Sequence, residues 1–238
     1  MSTTIILFDI DGTLIRSGGA GKEAMEGALR AAFNLAEIKD EVPYSGRTDV
    51  AIARDLLRVH GIEATPANQR ALQDAYLAHL PGSLNSRGGL VLPGVHELLS
   101  ALKGRSDVVL GLLTGNIRVG ARTKLGHFGL WDFFSCGGFG DEHFDRDDVA
   151  RLALREVGAH LGQEVDPADI WVVGDTPLDV QCARAIGAKV IAVATGWHPR
   201  EELAACNPDH VFGDLSEHAR IMALWNRSGN SGASANRS

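Results

Sequence analysis

The chain lacks the features that would place it in a membrane, on nucleic acid or in an oxidising compartment. Its 238 residues include three cysteines, an odd number without CxxC spacing, which indicates reduced thiols and neither a disulfide framework nor a zinc site. No apolar run is long enough to span a bilayer, and no basic run interrupts a net charge of -7. The first residues also lack the basic and long apolar segments of a signal peptide. We therefore expect a cytoplasmic protein with neither a nucleic-acid nor a membrane partner.

What the chain does have is typical of a globular α/β protein. Apolar residues make up 45% and charged residues 22% of the sequence, and the length suits one sizeable domain or a domain with a smaller insert. Continuous apolar runs, as expected for strands covered on both faces, occupy residues 4–8, 108–113, 170–173 and 190–194, with a weaker run at 131–136. Segments of helical period lie between them, at residues 94–103, 119–128, 148–161 and 178–186. This alternation predicts a doubly wound parallel sheet.

One segment breaks the alternation. Between residues 17 and 89 no convincing strand appears, and helical patterns occupy residues 21–33, 50–60 and 66–79. Glycine-rich joints at residues 18–19 and 85–89 bracket them. We expect an all-helical domain over residues 17–89 inserted into a core of residues 1–16 and 90–226, with the joints as hinges, and a disordered tail at 227–238.

The first apolar run stops at two carboxylates, in a stretch at residues 7–13 that reads LFDIDGT. Because side chains alternate along a strand, Asp9 and Asp11 should emerge on the same side at its end. Gly12 then breaks the strand, and Thr13 offers a hydroxyl at the same edge. Two adjacent carboxylates repel each other, so this pattern indicates either a solvated turn or a site for a cation.

Two later strand ends carry further polar groups. The run at 108–113 is followed by Thr114, Gly115 and Asn116, and the run at 170–173 by Asp175 and, four residues on, Asp179. Ligands bind outside the carboxyl ends of the strands in such sheets, so these groups should converge.

In these motifs the sequence resembles the haloacid dehalogenase-like hydrolase superfamily. Residues 9–13 (DIDGT) are similar to its DxDGT signature, residues 114–116 (TGN) to its second motif, and residues 174–179 (GDTPLD) to its GDxxxD metal motif. The helical insert resembles the cap of phosphoglycolate-phosphatase-like members, and residues 45–49 (SGRTD) resemble the loop of that cap. The resemblance implies a Rossmann-like core with a helical cap, and hydrolysis of a small phosphate ester with Mg²⁺ as cofactor.

The resemblance also implies a role for each residue. Asp9 would attack phosphorus and Asp11 would act as acid and then base, while Thr13, Thr114, Gly115 and Asn116 would hold the phosphoryl oxygens. Asp9, the backbone carbonyl of Asp11, and Asp175 would bind the metal, with Asp179 orienting metal-bound water. Members that act as dehalogenases lack an acid at the second position, so Asp11 favours phosphoryl transfer.

The basic residue that the family places near the nucleophile is ambiguous. Lys124 is eight residues beyond Asn116, about 12 Å along a helix at 1.5 Å per residue, whereas Arg146 precedes a helix and should lie at the catalytic edge. We therefore favour Arg146 over Lys124 as the active-site cation. Surface ion pairs are the alternative for both residues.

Some alternatives stay open at this stage. Arg47 is the cap residue that we expect to touch substrate, although a surface position is equally compatible with its context. A sugar-phosphate mutase would use the same core chemistry, and a non-hydrolysing phosphoryl receiver or binding module would share the sheet. The helical insert and Asp11 count against a receiver. The sequence does not identify the substrate or the oligomeric state.

Overall fold

A computed structural model of the chain describes residues 3–225, so the tail predicted at 227–238 lies outside the described residues. In chain order the helices and strands are β1 (Thr4–Phe8), β2 (Ile15–Arg16), α1 (Ala20–Phe33), α2 (Asp49–Val59), α3 (Pro66–Arg87), β3 (Leu90–Val91), α4 (Val95–Lys103), β4 (Val108–Leu113), α5 (Arg118–His127), β5 (Cys136–Gly138), α6 (Arg146–Leu161), β6 (Ile170–Gly174), α7 (Pro177–Ala185), β7 (Lys189–Val193), α8 (Arg200–Ala205), β8 (His210–Phe212) and α9 (His218–Trp225). Within these residues, no helix combines the length and the apolar character needed to cross a bilayer.

Six of the described strands form one parallel sheet in the order β5-β4-β1-β6-β7-β8. The direction of winding reverses between β1 and β6, so the carboxyl ends of β1, β4 and β6 surround the crevice that forms at such a switch point. The alternating side chains of β1 supply both faces of the sheet. Ile6 and Phe8 pack under α4, α5 and α9, while Ile5 and Leu7 pack under α6 and α7. The predicted doubly wound α/β sheet is confirmed.

The strand predicted at residues 131–136 is wrong. Trp131–Phe133 is a 3₁₀ turn, and the strand follows it at Cys136–Gly138. The aromatic side chains of this run lie in a turn and pack against the large core cluster. The run is apolar because it is buried beside the sheet, although most of it is not a strand.

Residues 17–89 contain three helices and, among the described elements, no strand. Helices α1, α2 and α3 enclose an apolar cluster of their own, which includes Leu57, Leu72 and Tyr76. Helix α3 continues through Pro81 to Arg87, so residues 85–87, predicted as a joint, are helical. Burial of Leu84 against the helical cluster explains the extension.

The two chain crossings between the core and this helical insert, here called the cap, run side by side. Strands β2 and β3 pair antiparallel, with Ile15 opposite Val91 and Arg16 opposite Leu90. Glycines with positive φ flank the ribbon on its cap side, at Gly18 and Gly19 in one crossing and Gly88 and Gly89 in the other. Such backbone positions suit glycine because they strain other residues.

The loop that precedes α2 fastens the cap to the core. The backbone N–H of Asp49 donates to the Gly115 carbonyl at 2.8 Å, and its carboxylate accepts from the N–H of Ile117 at 2.9 Å. Thr48 is fully buried, and a Cβ on Gly115 would overlap the carbonyl of Arg47. Burial raises the pKa of Asp49 from 3.8 to about 6, against the opposing effect of Lys124.

The raised pKa of Asp49 predicts that the stability of the folded protein depends on pH. Because the folded protein binds the Asp49 proton more tightly than the unfolded chain does, the free energy of unfolding should fall as the pH rises from about 4 to about 6. Asp49→Asn keeps an acceptor for Ile117 and should therefore be more stable than the parent at pH 7, by on the order of 2 kcal/mol. Urea denaturation at several pH values measures this, with Asp132→Asn, at an exposed carboxylate, as the control for losing one charge. A stability difference that does not change with pH would contradict the prediction.

Candidate active site

The carboxyl end of β1 places Asp9 in the crevice at the switch point. Its N–H donates to the Val173 carbonyl at 2.9 Å, which continues the pairing with β6, and its side chain is buried. Gly12 follows with a φ of 86°, and a Cβ there would overlap the Asp175 carboxylate. The turn therefore needs glycine both for its backbone conformation and for the close approach of an acid from the neighbouring strand.

Three buried carboxylates meet at this edge. One oxygen from each of Asp9, Asp175 and Asp179 lies within 4.8 Å of the other two. Burial raises the pKa of Asp9 to about 6, and it raises that of Asp175 well above its ordinary value with the help of the adjacent Asp179 and Asp9 charges. The cluster thus holds more negative charge than its surroundings stabilise.

Asp179 is fixed by the start of α7. Its Oδ2 accepts hydrogen bonds from the N–H groups of Asp175 and Thr176, at 3.1 and 3.0 Å, and from the Thr176 hydroxyl at 2.8 Å. The Thr176 hydroxyl in turn caps the helix by accepting from the N–H of Asp179. This reciprocal capping positions the carboxylate before any ligand is bound.

Arg146 is the buried cation beside these acids. It is the first residue of α6, and its Nη2 lies 3.1 Å from Asp9 Oδ1 and forms an ion pair with Asp179 Oδ1. One guanidinium thus bridges two of the three carboxylates, and their charges raise its pKa against the effect of burial.

Asp11 has a separate cation, Lys124. The Lys124 Nζ donates to Asp11 Oδ2 and to Asn116 Oδ1, both at 2.6 Å, and Asn116 Nδ2 donates to the same Asp11 oxygen at 3.0 Å. Although burial opposes it, the Lys124 ammonium lowers the pKa of Asp11 below its ordinary value. The axial distance that disfavoured Lys124 was misleading, because helical side chains lean toward the N-terminus and a lysine is long enough to reach back. Both candidate cations therefore reach the site, each beside a different acid.

The predicted phosphoryl-binding residues surround the cluster. Thr13 is buried and donates to Asp175 Oδ1 at 2.9 Å, and the hydroxyl of the fully buried Thr114 accepts from Asn116 Nδ2 at 2.9 Å. Gly115 directly follows Thr114 and lies under the cap loop. These groups line one edge of the sheet, as their positions after β1 and β4 predict.

Arg47 is not among the groups that the structure brings together here. Its guanidinium pairs with Asp55 of α2 at 2.5 Å and donates to the Pro43 carbonyl at 3.0 Å, so it braces the cap loop. The backbone carbonyl of Arg47 lies against Gly115 of the core.

The loop after β7 also contributes to the site, although its sequence did not predict this. The Thr195 hydroxyl donates to the Gly12 carbonyl at 2.5 Å, and a Cβ on Gly196 would overlap the Asp175 carboxylate. The one signal for this loop is that a small polar pair follows a predicted strand, as at the other strand ends.

The donor set fits a hard divalent cation such as Mg²⁺. All three clustered side chains offer carboxylate oxygens, the ligands that Mg²⁺ prefers. The Oδ1 atom of Asp9 is buried and contacts Arg146 as an ion pair but accepts no hydrogen bond of good geometry. Burial and the neighbouring carboxylates raise the pKa values of Asp9 and Asp175, so their charged forms are disfavoured without a further cation. A divalent ion would satisfy both conditions.

Comparison with known proteins agrees with this geometry. Residues 6–184 match the sequence model of the haloacid dehalogenase-like hydrolase family. The chain is 32% identical to a phosphoglycolate phosphatase of Synechococcus elongatus, over 89% of this chain and 93% of the relative. It is 33% identical to a phosphoglycolate phosphatase of Rhodospirillum rubrum, over 89% of this chain and 87% of the relative.

A solved structure shares the fold. CbbY from Rhodobacter sphaeroides, solved in complex with phosphate, superposes with a TM-score of 0.73 at 20% identity and covers 90% of this chain and 96% of its own. The family match extends from β1 through α7 and so includes all three clustered acids. The chain belongs to the haloacid dehalogenase-like hydrolase family.

Proposed function

We propose that this protein is a Mg²⁺-dependent phosphatase that hydrolyses a small phosphomonoester through an aspartyl-phosphate on Asp9. The observation that carries the proposal is the meeting of Asp9, Asp175 and Asp179 at one edge of the sheet, with a separately held acid, Asp11, two residues from the first of them. The phosphatase names of the relatives at 32% and 33% identity support the reaction class.

Charge explains how the chain would promote attack on a phosphate ester. When bound, Mg²⁺ supplies positive charge that neutralises the phosphoryl group. Arg146 offsets the charge of Asp9 from the protein side and fixes the orientation of its carboxylate. The Thr114 hydroxyl and the backbone N–H of Gly115 are candidates to hold phosphoryl oxygens. The N–H groups of Ile117 and Arg118 at the start of α5 are not, because they already donate to the carboxylates of Asp49 and Asp141.

Asp11 suits the proton transfers. In the first step the protonated form of Asp11, which the Lys124 ammonium disfavours, would give a proton to the leaving alcohol as Asp9 forms the acyl phosphate. In the second step its carboxylate, which the same ammonium favours, would take a proton from the attacking water. Its side chain is 40% exposed, unlike that of Asp9, so it is accessible to a leaving group. Lys124 and Asn116 hold it in one orientation for both steps.

Removal of the nucleophile should abolish turnover and keep the fold. Asp9→Asn should lower kcat on p-nitrophenyl phosphate by at least about 10³-fold, because no acyl phosphate can form. The melting temperature should not fall, since the change removes one of three clustered charges. Steady-state kinetics and thermal melts measure both, with Asp132→Asn at an exposed site as the matched control. A rate equal to that of the control would refute the role of Asp9.

The contact between Lys124 and Asp11 predicts a shift in the pH profile. Lys124→Met should lower kcat by about 10²-fold, the usual scale for disturbed acid–base catalysis. It should also move the limb of the profile that belongs to Asp11 to higher pH, because the cation that lowers the pKa of Asp11 is gone. Arg122→Met removes an exposed cation from the same helix and serves as the control. If the profile of Lys124→Met keeps its shape, Lys124 does not tune Asp11.

Metal dependence has a readout that does not rely on turnover. Dialysis against EDTA should remove activity, and millimolar Mg²⁺ should restore it. Mg²⁺ should also raise the melting temperature, because a ligand at 100 times its Kd stabilises the folded state by about 2.7 kcal/mol. Asp175→Asn should weaken this thermal shift, whereas Asp148→Asn, which alters an exposed ion pair, should retain it. An equal shift in both variants would place the metal elsewhere.

A further inference from the structure

The loop after β7, residues 194–199 and here called the β7 loop, lies directly against one acid of the cluster. A Cβ on Gly196 would overlap the Oδ2 atom of Asp175, so the backbone of the loop is in contact with that carboxylate. A Cβ on Gly12 would overlap the same oxygen. The backbones of the β7 loop and of the turn after β1 therefore both limit where this carboxylate can lie.

The β7 loop and the turn after β1 are also bonded to each other. The Thr195 hydroxyl donates to the Gly12 carbonyl, and the Thr13 hydroxyl of the same turn donates to Asp175 Oδ1 at 2.9 Å. Each oxygen of Asp175 is thus positioned by a segment that the Thr195 hydrogen bond holds in place. A displacement of the β7 loop would change the surroundings of Asp175 although no residue of the loop belongs to the acidic cluster.

One contact joins the β7 loop to a chain crossing between core and cap. Arg16 of β2 donates from its Nη2 to the Thr195 carbonyl at 2.7 Å. Two residues further on, the crossing reaches Gly18 and Gly19, whose φ values are positive. The Arg16 side chain is exposed, so its hydrogen bond fixes the β7 loop without filling the core. A pivot of the cap at these glycines would act on the loop through Arg16.

A second contact joins the β7 loop to the loop that precedes α2 in the cap. The Ser45 hydroxyl lies 3.1 Å from His198 Nε2, within hydrogen-bond distance. The other ring nitrogen, Nδ1, lies 2.8 Å from the Glu202 carboxylate of α8, which holds the imidazole from the core side. The β7 loop therefore contacts the cap at two separate segments and the acidic cluster at a third place.

We propose that closure of the cap and binding of the divalent ion at Asp175 are coupled through the β7 loop, with Arg16 and His198 as positioning residues. The inference rests on the proposed Mg²⁺ site. With the cap docked, the loop holds Asp175 where one of its oxygens lies within 4.8 Å of oxygens of Asp9 and Asp179. Loss of either cap contact frees the loop, so the ion binds more weakly. Because coupling between two sites is reciprocal, the ion also favours the docked cap.

The first test measures the affinity for Mg²⁺ alone, by calorimetric titration without substrate. Arg16→Met should raise the Kd by about 5-fold, the lower end of the usual range for coupled sites, and Ser45→Ala should raise it in the same direction. Both residues are exposed, so we expect both variants to fold. Arg87→Met removes an exposed cation from the other crossing, where it pairs with Glu23, and should keep the Kd of the parent.

The second test measures the reciprocal effect by hydrogen exchange and mass spectrometry. Mg²⁺ should slow exchange in the cap loop, where the Asp49 N–H donates to the Gly115 carbonyl. Arg16→Met should reduce this slowing, and Arg87→Met should retain it. A hydrogen bond that only stabilised the fold would change exchange to the same extent with and without Mg²⁺.

The outcomes separate the coupling from the metal site itself. Equal Kd values for Mg²⁺ in Arg16→Met, Ser45→Ala and Arg87→Met overturn the coupling and leave the metal site standing. A parent protein that binds no Mg²⁺ overturns the coupling and the proposed metal site together. Weaker binding in Arg16→Met and Ser45→Ala alone, with reduced slowing of exchange in the first of them, supports the coupling.

Discussion

Electrostatic compensation within a buried acidic cluster governs this structure. Asp9, Asp175 and Asp179 crowd one edge of the sheet, and Arg146 is the cation that contacts Asp9 and Asp179. Glycines at positions 12, 174 and 196 permit this crowding, because a Cβ at any of them would overlap one of the acids. The same imbalance of charge that disfavours folding would favour a divalent cation at this edge.

Asp9 and Asp11 each contact a different cation, and their pKa values differ as a result of their surroundings. Arg146 contacts Asp9, whose side chain is buried. Lys124 contacts Asp11, whose side chain is partly exposed to solvent. Burial raises the pKa of Asp9, and the lysine lowers that of Asp11. Environment thus separates two aspartates that are two residues apart in the sequence: the pKa of one is raised and that of the other is lowered.

Much of this arrangement was predictable from the sequence because it depends on local pattern. Continuous apolar runs identified the strands, and parallel strands bring their carboxyl ends to one edge, so Asp9, Thr114 and Asp175 had to be neighbours. Contacts that depend on the reach of a long side chain, or on packing between segments distant in sequence, were not predictable. Lys124 reaches back along its helix to Asp11, and Arg47 pairs with Asp55 within the cap. The aromatic run at 131–136 shows a further limit, since burial beside a sheet and membership in a sheet give the same apolar signal.

The paired crossings at β2 and β3 have an evolutionary consequence. The chain leaves the core at Arg16 and returns at Leu90, and these two residues face each other across the ribbon. A tight turn joining them would close the core without disturbing any of its six parallel strands. The intervening segment could therefore be exchanged by recombination between these two points while the strand order of the sheet stays the same.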